Sequence, residues 1–400
     1  MICFQEGRMI FRIIIMVILF TKIFFGVQAF HIDNEDIKKK PDTSSGIVNP
    51  EVRNFFKPVS VSKSSLAREK FATDPISLLH AAKDTLRYID LHEHDRQDTI
   101  NPELFSKIIS LDQVKKTLRY IIDVIQEDKD AGKELDMFRI VNPKFIAKHF
   151  KFIAWTADEK TAKSNNVKLP EDGSLRLTNY AVFCVTGSLV KTKKYNCALY
   201  EVRDHSIFST KSTKSTKSKK ITKQNVLAGL LEEAKYQKKV KPLAWVTRDG
   251  LEDALMQGTI LVKFADNSYK IFNVHINNGI AYEKNKPVLQ QKRYWFFKEL
   301  KHSIKSVESF KNKIKRRSGV IFAGDIHNIG TGKLIALRHE NPLTKEPEIR
   351  LGVLADTGSA FVNNLYQLDF FAGLFSSRSS LIQHMKQLPI YTHAYLLCKK

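Results

Sequence analysis

Two neighbouring stretches, GVIFAGDIHNIGTGKLIAL (319–337) and LGVLADTGSAFVNNLYQLDFFAG (351–373), set three aspartates against apolar runs of strand character. Asp325 follows one such run, Asp356 follows another, and Asp369 lies within LYQLDFF. A carboxylate between Leu368 and Phe370 is costly to desolvate as an anion, and that environment raises a pKa. Lifting an aspartate from about 3.9 by two to three units corresponds to roughly 3–4 kcal/mol of differential stabilisation. An acid near neutrality is what protonating a sugar's leaving oxygen requires. The alternative places Asp369 on a solvent face of its strand, and the pattern alone does not choose between the two.

The Asp-Thr-Gly-Ser at 356–359, preceded by apolar residues, also invites comparison with aspartic proteases. That chemistry needs two aspartates sharing one proton. A second Asp-Thr/Ser-Gly copy is absent from the chain, so the comparison fails.

Working outward, short β-rich runs dominate after residue 175: YAVFCV (180–185), TILVKF (259–264), YKIFNV (269–274), GVIFAG (319–324), KLIALR (333–338) and IRLGVLA (349–355). One helix is expected at 224–236, with Val226, Leu227, Leu230, Leu231 and Ala234 in register. Many short strands with one embedded helix point to small β-barrels rather than a parallel α/β sheet. Earlier in the chain, Asp74-Pro75 opens a helix as N-cap and first-turn proline, with Leu79, Ala82, Leu86 and Ile89 on one face. A second helix carries Val114, Leu118, Ile121, Ile122 and Ile125. A third follows Asn142-Pro143, bringing Phe145, His149 and Phe152 together and making His149 a core or rim residue. His92 and His94 in LHEHD have no further ligand nearby and read as solvated.

Hydrophobic content of 43% and charged content of 27% over 400 residues are those of a globular protein, which excludes wholesale disorder. The 65 Lys and Arg against 42 Asp and Glu leave a net charge of +23, calling for surroundings rich in negative charge. The repeat STKSTKSTKSKK (209–220) cannot form a core and reads as a flexible loop; KNKIKRRSG (311–319) is a basic connector. Neither interleaves aromatics as a base-stacking surface would, so nucleic acid is not the expected partner. Arg8 and Arg12 precede the apolar run IIIMVILF (13–20), and Val27 and Ala29 suit a signal peptidase, so an export signal over 1–29 is expected. Cys3 precedes the apolar segment and cannot be a lipoprotein cysteine. Without the leader three cysteines remain: Cys184 and Cys197 flank a hairpin and pair, or else both stay free thiols. No Cys-x-x-Cys spacing exists, and neither metal nor cofactor is expected.

Ala355, Asp356, Thr357, Gly358, Ala360, Asp369, Phe370 and Gly373 match the ending of the membrane-bound lytic murein transglycosylase A family, which the chain resembles in its three-aspartate region. Upstream, LTNYAVFCVTGSLVKTKKYNCALY (177–200), LAWVTRDGLEDALMQGTILVKFADNS (243–268), NNGIAY (277–282) and YWFFKEL (294–300) resemble further family blocks in the family's order. The resemblance covers about residues 76–400.

The resemblance implies a mainly β fold with flanking helices. A double-psi β-barrel domain (76–181 and 301–400) is split by an inserted smaller β-barrel domain (182–300), with a glycan groove between them. Residues 30–75, polar and basic with Pro41, Pro50 and Pro58 scattered through them, read from their composition as a flexible tether. The resemblance also implies an enzyme that cuts the MurNAc–GlcNAc bond of peptidoglycan without water and leaves a 1,6-anhydromuramyl end. Carried over, Asp369 is the acid/base, Asp356 and Asp325 support it, and Thr178, Gln257, Gly258, Tyr282, Thr357 and Gly358 bind substrate. The partners implied are peptidoglycan strands met outside the cytoplasm, by a monomer with peripheral membrane association. The chain departs from the family between Asp356 and Asp369, where SAFVNN replaces glycine and lysine with two extra residues. It departs again at NYAVF and at Gln-Gly-Thr-Ile, where side chains in place of glycine would narrow a groove. An impaired peptidoglycan-binding protein is the alternative reading.

Overall fold

The protein is described by a computed structural model over residues 48–208, 220–283, 286–300 and 306–400. The leader expected at 1–29, the expected tether as far as residue 47 and all of the Lys/Ser/Thr repeat except Lys220 lie outside the described residues. In chain order the strands are β1 (Phe56–Val59), β2 (Lys70–Phe71), β3 (Phe150–Trp155), β4 (Leu175–Ser188), β5 (Cys197–Val202), β6 (Val240–Val246) and β7 (Thr259–Lys263). They continue with β8 (Tyr269–Asn277), β9 (Trp295–Glu299), β10 (Ile321–Ala323), β11 (Leu334–Glu340), β12 (Pro347–Asp356), β13 (Gln367–Phe375) and β14 (Tyr391–Lys399). The chain divides into two compact units, one holding the described residues up to 181 and from 306, the other those from 182 to 300.

In the first unit the strand neighbours run β14, β11, β12, β10, β13, β4, and β4 then returns to β14. The closure rests on Tyr391 opposite Arg176 and Thr392 opposite Leu175. Six strands therefore close on themselves as a barrel, which leaves no open edge within the cycle. β3 extends the sheet along β14, with Ala394 opposite Trp155 and Lys399 opposite Phe150. Within the cycle β10 runs parallel to β12 and antiparallel to β13.

Helices cover this barrel because their apolar faces have nowhere else to go. Pro75–His92 starts where the Asp74 side chain accepts a hydrogen bond from the Ser77 amide at 2.5 Å, and it buries Leu78, Leu79, Ala82 and Ile89. Leu111–Asp130 starts on Ser110 and buries Val114, Leu118, Ile121 and Ile125. The two helices pack together, the first on β12 and the second on β14. Pro143–His149 is capped by Asn142, and the rings of Phe145 and His149 stack at 4.3 Å. Phe152 is not part of that helix: it sits on β3 with its ring 6.1 Å from Tyr395.

The tether expected as far as residue 75 does not extend that far. β1 pairs antiparallel with β3, and β2 pairs parallel with β12, because Phe56 and Leu66 bury their side chains in the core. In the second unit, β4 continues parallel to β7, and β7, β8 and β9 follow antiparallel. β5 and β6 form an antiparallel pair. The single helix expected at 224–236 is three short pieces, Lys223–Leu227, Leu230–Glu232 and Ala234–Gln237. Gly229, at φ +87°, takes the left-handed conformation that ends the first piece. Cys184 and Cys197 are not joined by a disulfide, and Cys398 takes part in none, which resolves the choice left open for the first two.

Candidate active site

Asp356 ends β12, Asp369 is the third residue of β13 and Asp325 follows β10, and one small residue pairs with the first two. Ala323 on β10 lies opposite Asp356 on one side and opposite Asp369 on the other. Residues paired across neighbouring strands present their side chains to the same face. Asp356 and Asp369 thus flank Ala323 from the two neighbouring strands, with a register shift between Phe322 and Ala323 on the β12 side.

Asp369 is buried, 5% exposed. Its carboxylate accepts hydrogen bonds from the Thr178 hydroxyl and from the Gln367 side-chain amide, the latter at 3.1 Å. The same Gln367 amide donates to the Thr178 oxygen at 2.9 Å, so three side chains form a closed triangle. Burial pushes the Asp369 carboxyl up to about 7, against the opposing pull of the Gln367 hydrogen bond and the positive charge of Arg176. The alternative of a solvent-facing Asp369 is therefore excluded.

Asp356 is held differently. Its carboxylate accepts the Tyr180 phenol at 2.9 Å and the Thr357 amide at 2.8 Å. Burial raises it to about 8; those two hydrogen bonds and Arg317 oppose the rise, and Asp369 adds to it. A carboxyl raised that far stays protonated at neutral pH, so the site does not have to hold two adjacent anions. Arg317 is itself anchored to Asp84 at 2.5 Å.

Asp325 is a structural carboxylate. Fully buried, it caps the short helix Ile326–Ile329 and accepts from the Asn328 amide at 3.2 Å and the Asn328 side chain at 2.7 Å. It also accepts the Asn364 backbone amide at 2.9 Å, tying the turn after β10 to the segment that leads into β13. Burial raises it to about 6.

Thr178 thus joins the aspartates in one cluster. Thr357 lies beside them with its hydroxyl donated to the Gly324 carbonyl at 2.8 Å, which fastens the turn after β12. Gly358 has extended backbone, φ −163°, that any residue adopts. Gln257, Gly258 and Tyr282 belong to the second unit. There Gln257 is buried at the end of the helix Arg248–Gln257, and Gly258, at φ +79°, is its left-handed cap. Tyr282 is half-buried. Among the described residues no cluster of three or more His, Cys, Asp or Glu could hold a metal ion.

Arg176, Tyr180, Gln367 and Arg317 are site residues that the sequence reading missed. The available signal was period two along RLTNY, where Arg176, Thr178 and Tyr180 share one face of a strand that begins five residues before the expected one.

With this geometry in hand, likeness to solved structures becomes informative. A membrane-bound lytic murein transglycosylase from Agrobacterium tumefaciens is similar with a TM-score of 0.53 at 14% identity, over 86% of this chain and 97% of that one. E. coli MltA with bound chitohexaose is similar with a TM-score of 0.51 at 16% identity, over 86% and 94%. No protein-family model matches the chain, and no curated protein matches it. The fold is that of the MltA lytic transglycosylases.

Proposed function

We propose that the protein is a peptidoglycan lytic transglycosylase whose general acid and base is Asp369. The observation that carries this reading is the buried Asp369 carboxyl, which accepts hydrogen bonds from Thr178 and Gln367 and is raised by burial to about 7. The similar E. coli MltA has chitohexaose, a glycan, bound.

In the first step Asp369 gives its proton to the glycosidic oxygen as the bond from muramyl C1 breaks, and the GlcNAc end departs with a free hydroxyl. The carboxylate left behind faces the oxocarbenium-like C1 and stabilises it; Thr178 and Gln367 donate to that carboxylate. In the second step the muramyl C6 hydroxyl attacks C1 and returns its proton to Asp369. The product is a 1,6-anhydromuramyl end, and the acid is regenerated without water. Asp356, protonated throughout and pinned by Tyr180, keeps its charge from opposing ionisation of Asp369. Asp325, through the Asn364 amide, holds the connection between the strands of Asp356 and Asp369 to the turn after β10. The excess of positive charge suits a carboxylate-rich polymer met after export.

The test is mass spectrometry of muropeptides after incubating residues 30–400 with purified sacculi, beside D369N. Anhydromuramyl products from the unaltered chain and none from D369N are expected. Binding to sacculi with no products from the unaltered chain would instead favour an impaired glycan binder.

A further inference from the structure

Partly buried arginines in this protein usually meet a carboxylate: Arg139, Arg248, Arg317, Arg338 and Arg350 each do. Arg176 is the exception that lies in the candidate site. Its backbone amide donates to the Tyr366 carbonyl at 2.9 Å, and it stands opposite Tyr391 across the seam where the barrel closes. Among the described residues its guanidinium has no carboxylate within ion-pair distance, although it lies within electrostatic reach of Asp369.

Its position says what it faces. Arg176, Thr178 and Tyr180 alternate along β4 on one face. Tyr180 is fully buried, whereas Thr178, which touches Asp369, and Arg176 beyond it are half-exposed. The row thus runs from the barrel interior outward past the acid, and the guanidinium is its outermost member. Five donors held half-desolvated with no acceptor of their own suit an oxygen-rich, anionic or acyl group brought by a ligand.

We propose that Arg176 is a specificity-determining residue that recognises the lactyl group on C3 of the muramyl sugar. This rests on the reading of Asp369 as acid at muramyl C1. The lactyl ether is two carbons from that C1, and it is what distinguishes a muramyl from a plain N-acetylglucosaminyl unit. A guanidinium beside Asp369 can donate to the lactyl carboxylate, or to its carbonyl oxygen when a stem peptide is attached. Muramyl units would thereby be seated with C1 at the acid, and chitin-type strands would gain nothing.

The experiment uses residues 30–400 carrying D369N, so that ligands bind without being cut. Affinities are measured calorimetrically for a (GlcNAc–MurNAc)2 tetrasaccharide and for chitotetraose, which lacks lactyl groups. Adding R176A is expected to weaken the first by roughly tenfold or more, as for loss of a charged hydrogen bond, and to change the second less than twofold. R176K, keeping charge without the planar fork, should fall between. Equal losses on both ligands, or no loss on either, would overturn the assignment while leaving the glycan-binding reading in place. Failure of the D369N parent to bind either ligand would sink both. Unchanged thermal melting of R176A confirms that the ratio reports recognition rather than folding.

Discussion

Tyr180 and Asp356 stand on strands directly opposite each other in the six-stranded cycle, and the Tyr180 phenol donates to the Asp356 carboxylate across it at 2.9 Å. Neighbouring strands are held by backbone ladders; this bond is a strut between walls that share no ladder.

Tyr180→Phe removes the strut and leaves a buried carboxyl oxygen without its donor, while Thr357 keeps the other. We expect a loss of about 1–3 kcal/mol in urea unfolding. An unchanged midpoint would show that the phenol adds nothing net.

Asp356 binds its proton more tightly in the folded state than the ordinary value of 3.8 implies, up to about 8. Its contribution to stability is therefore full below about pH 4 and is lost as pH rises through 8. Asp356→Asn removes the titration, so the melting temperature of D356N should exceed that of the unaltered chain at pH 9 and fall less between pH 6 and 9. Parallel melting curves would contradict this.

If Asp369 is the acid, Asp369→Asn should lower the rate of anhydromuramyl release by roughly 10²–10⁴-fold, with thermal stability at pH 8 retained. Activity within a few-fold of the unaltered chain would move the proton to another group.

Gln367 helps hold the Asp369 carboxylate form, and its hydrogen bond opposes the upward push of burial. Gln367→Leu should raise the Asp369 pKa, moving the alkaline limb of the pH–rate profile upward by roughly half a unit to one unit. A limb that stays put would mean the amide positions without tuning.

Much of the strand content was legible because short apolar runs bounded by polar turns carry their own signature. The runs at 259–264, 269–274, 333–338 and 349–355 correspond to β7, β8, β11 and β12. The aspartates were singled out by the resemblance rather than by the local pattern, since a carboxylate among Leu368, Phe370 and Phe371 could on that pattern alone be buried or face solvent. What stayed hidden was long-range. Thr178 and Tyr180 meet residues 191 and 176 positions away, and nothing local marks that pairing. The supposed helix at 224–236 failed on one residue: its apolar spacing was helical, but Gly229 has no Cβ to resist a left-handed turn. The tether was misjudged because scattered prolines mask two short strands that borrow their partners from elsewhere in the chain.

The seam between β4 and β14 has a consequence in time. β14 is the last strand in chain order, and it joins β11 on one edge to β3 and β4 on the other. While the chain is being made, β4 emerges long before the strands bearing the aspartates, and the cycle stays open until residues 391–399 arrive. A chain stopped short of residue 391 would thus leave β4 and β11 without the strand that joins them.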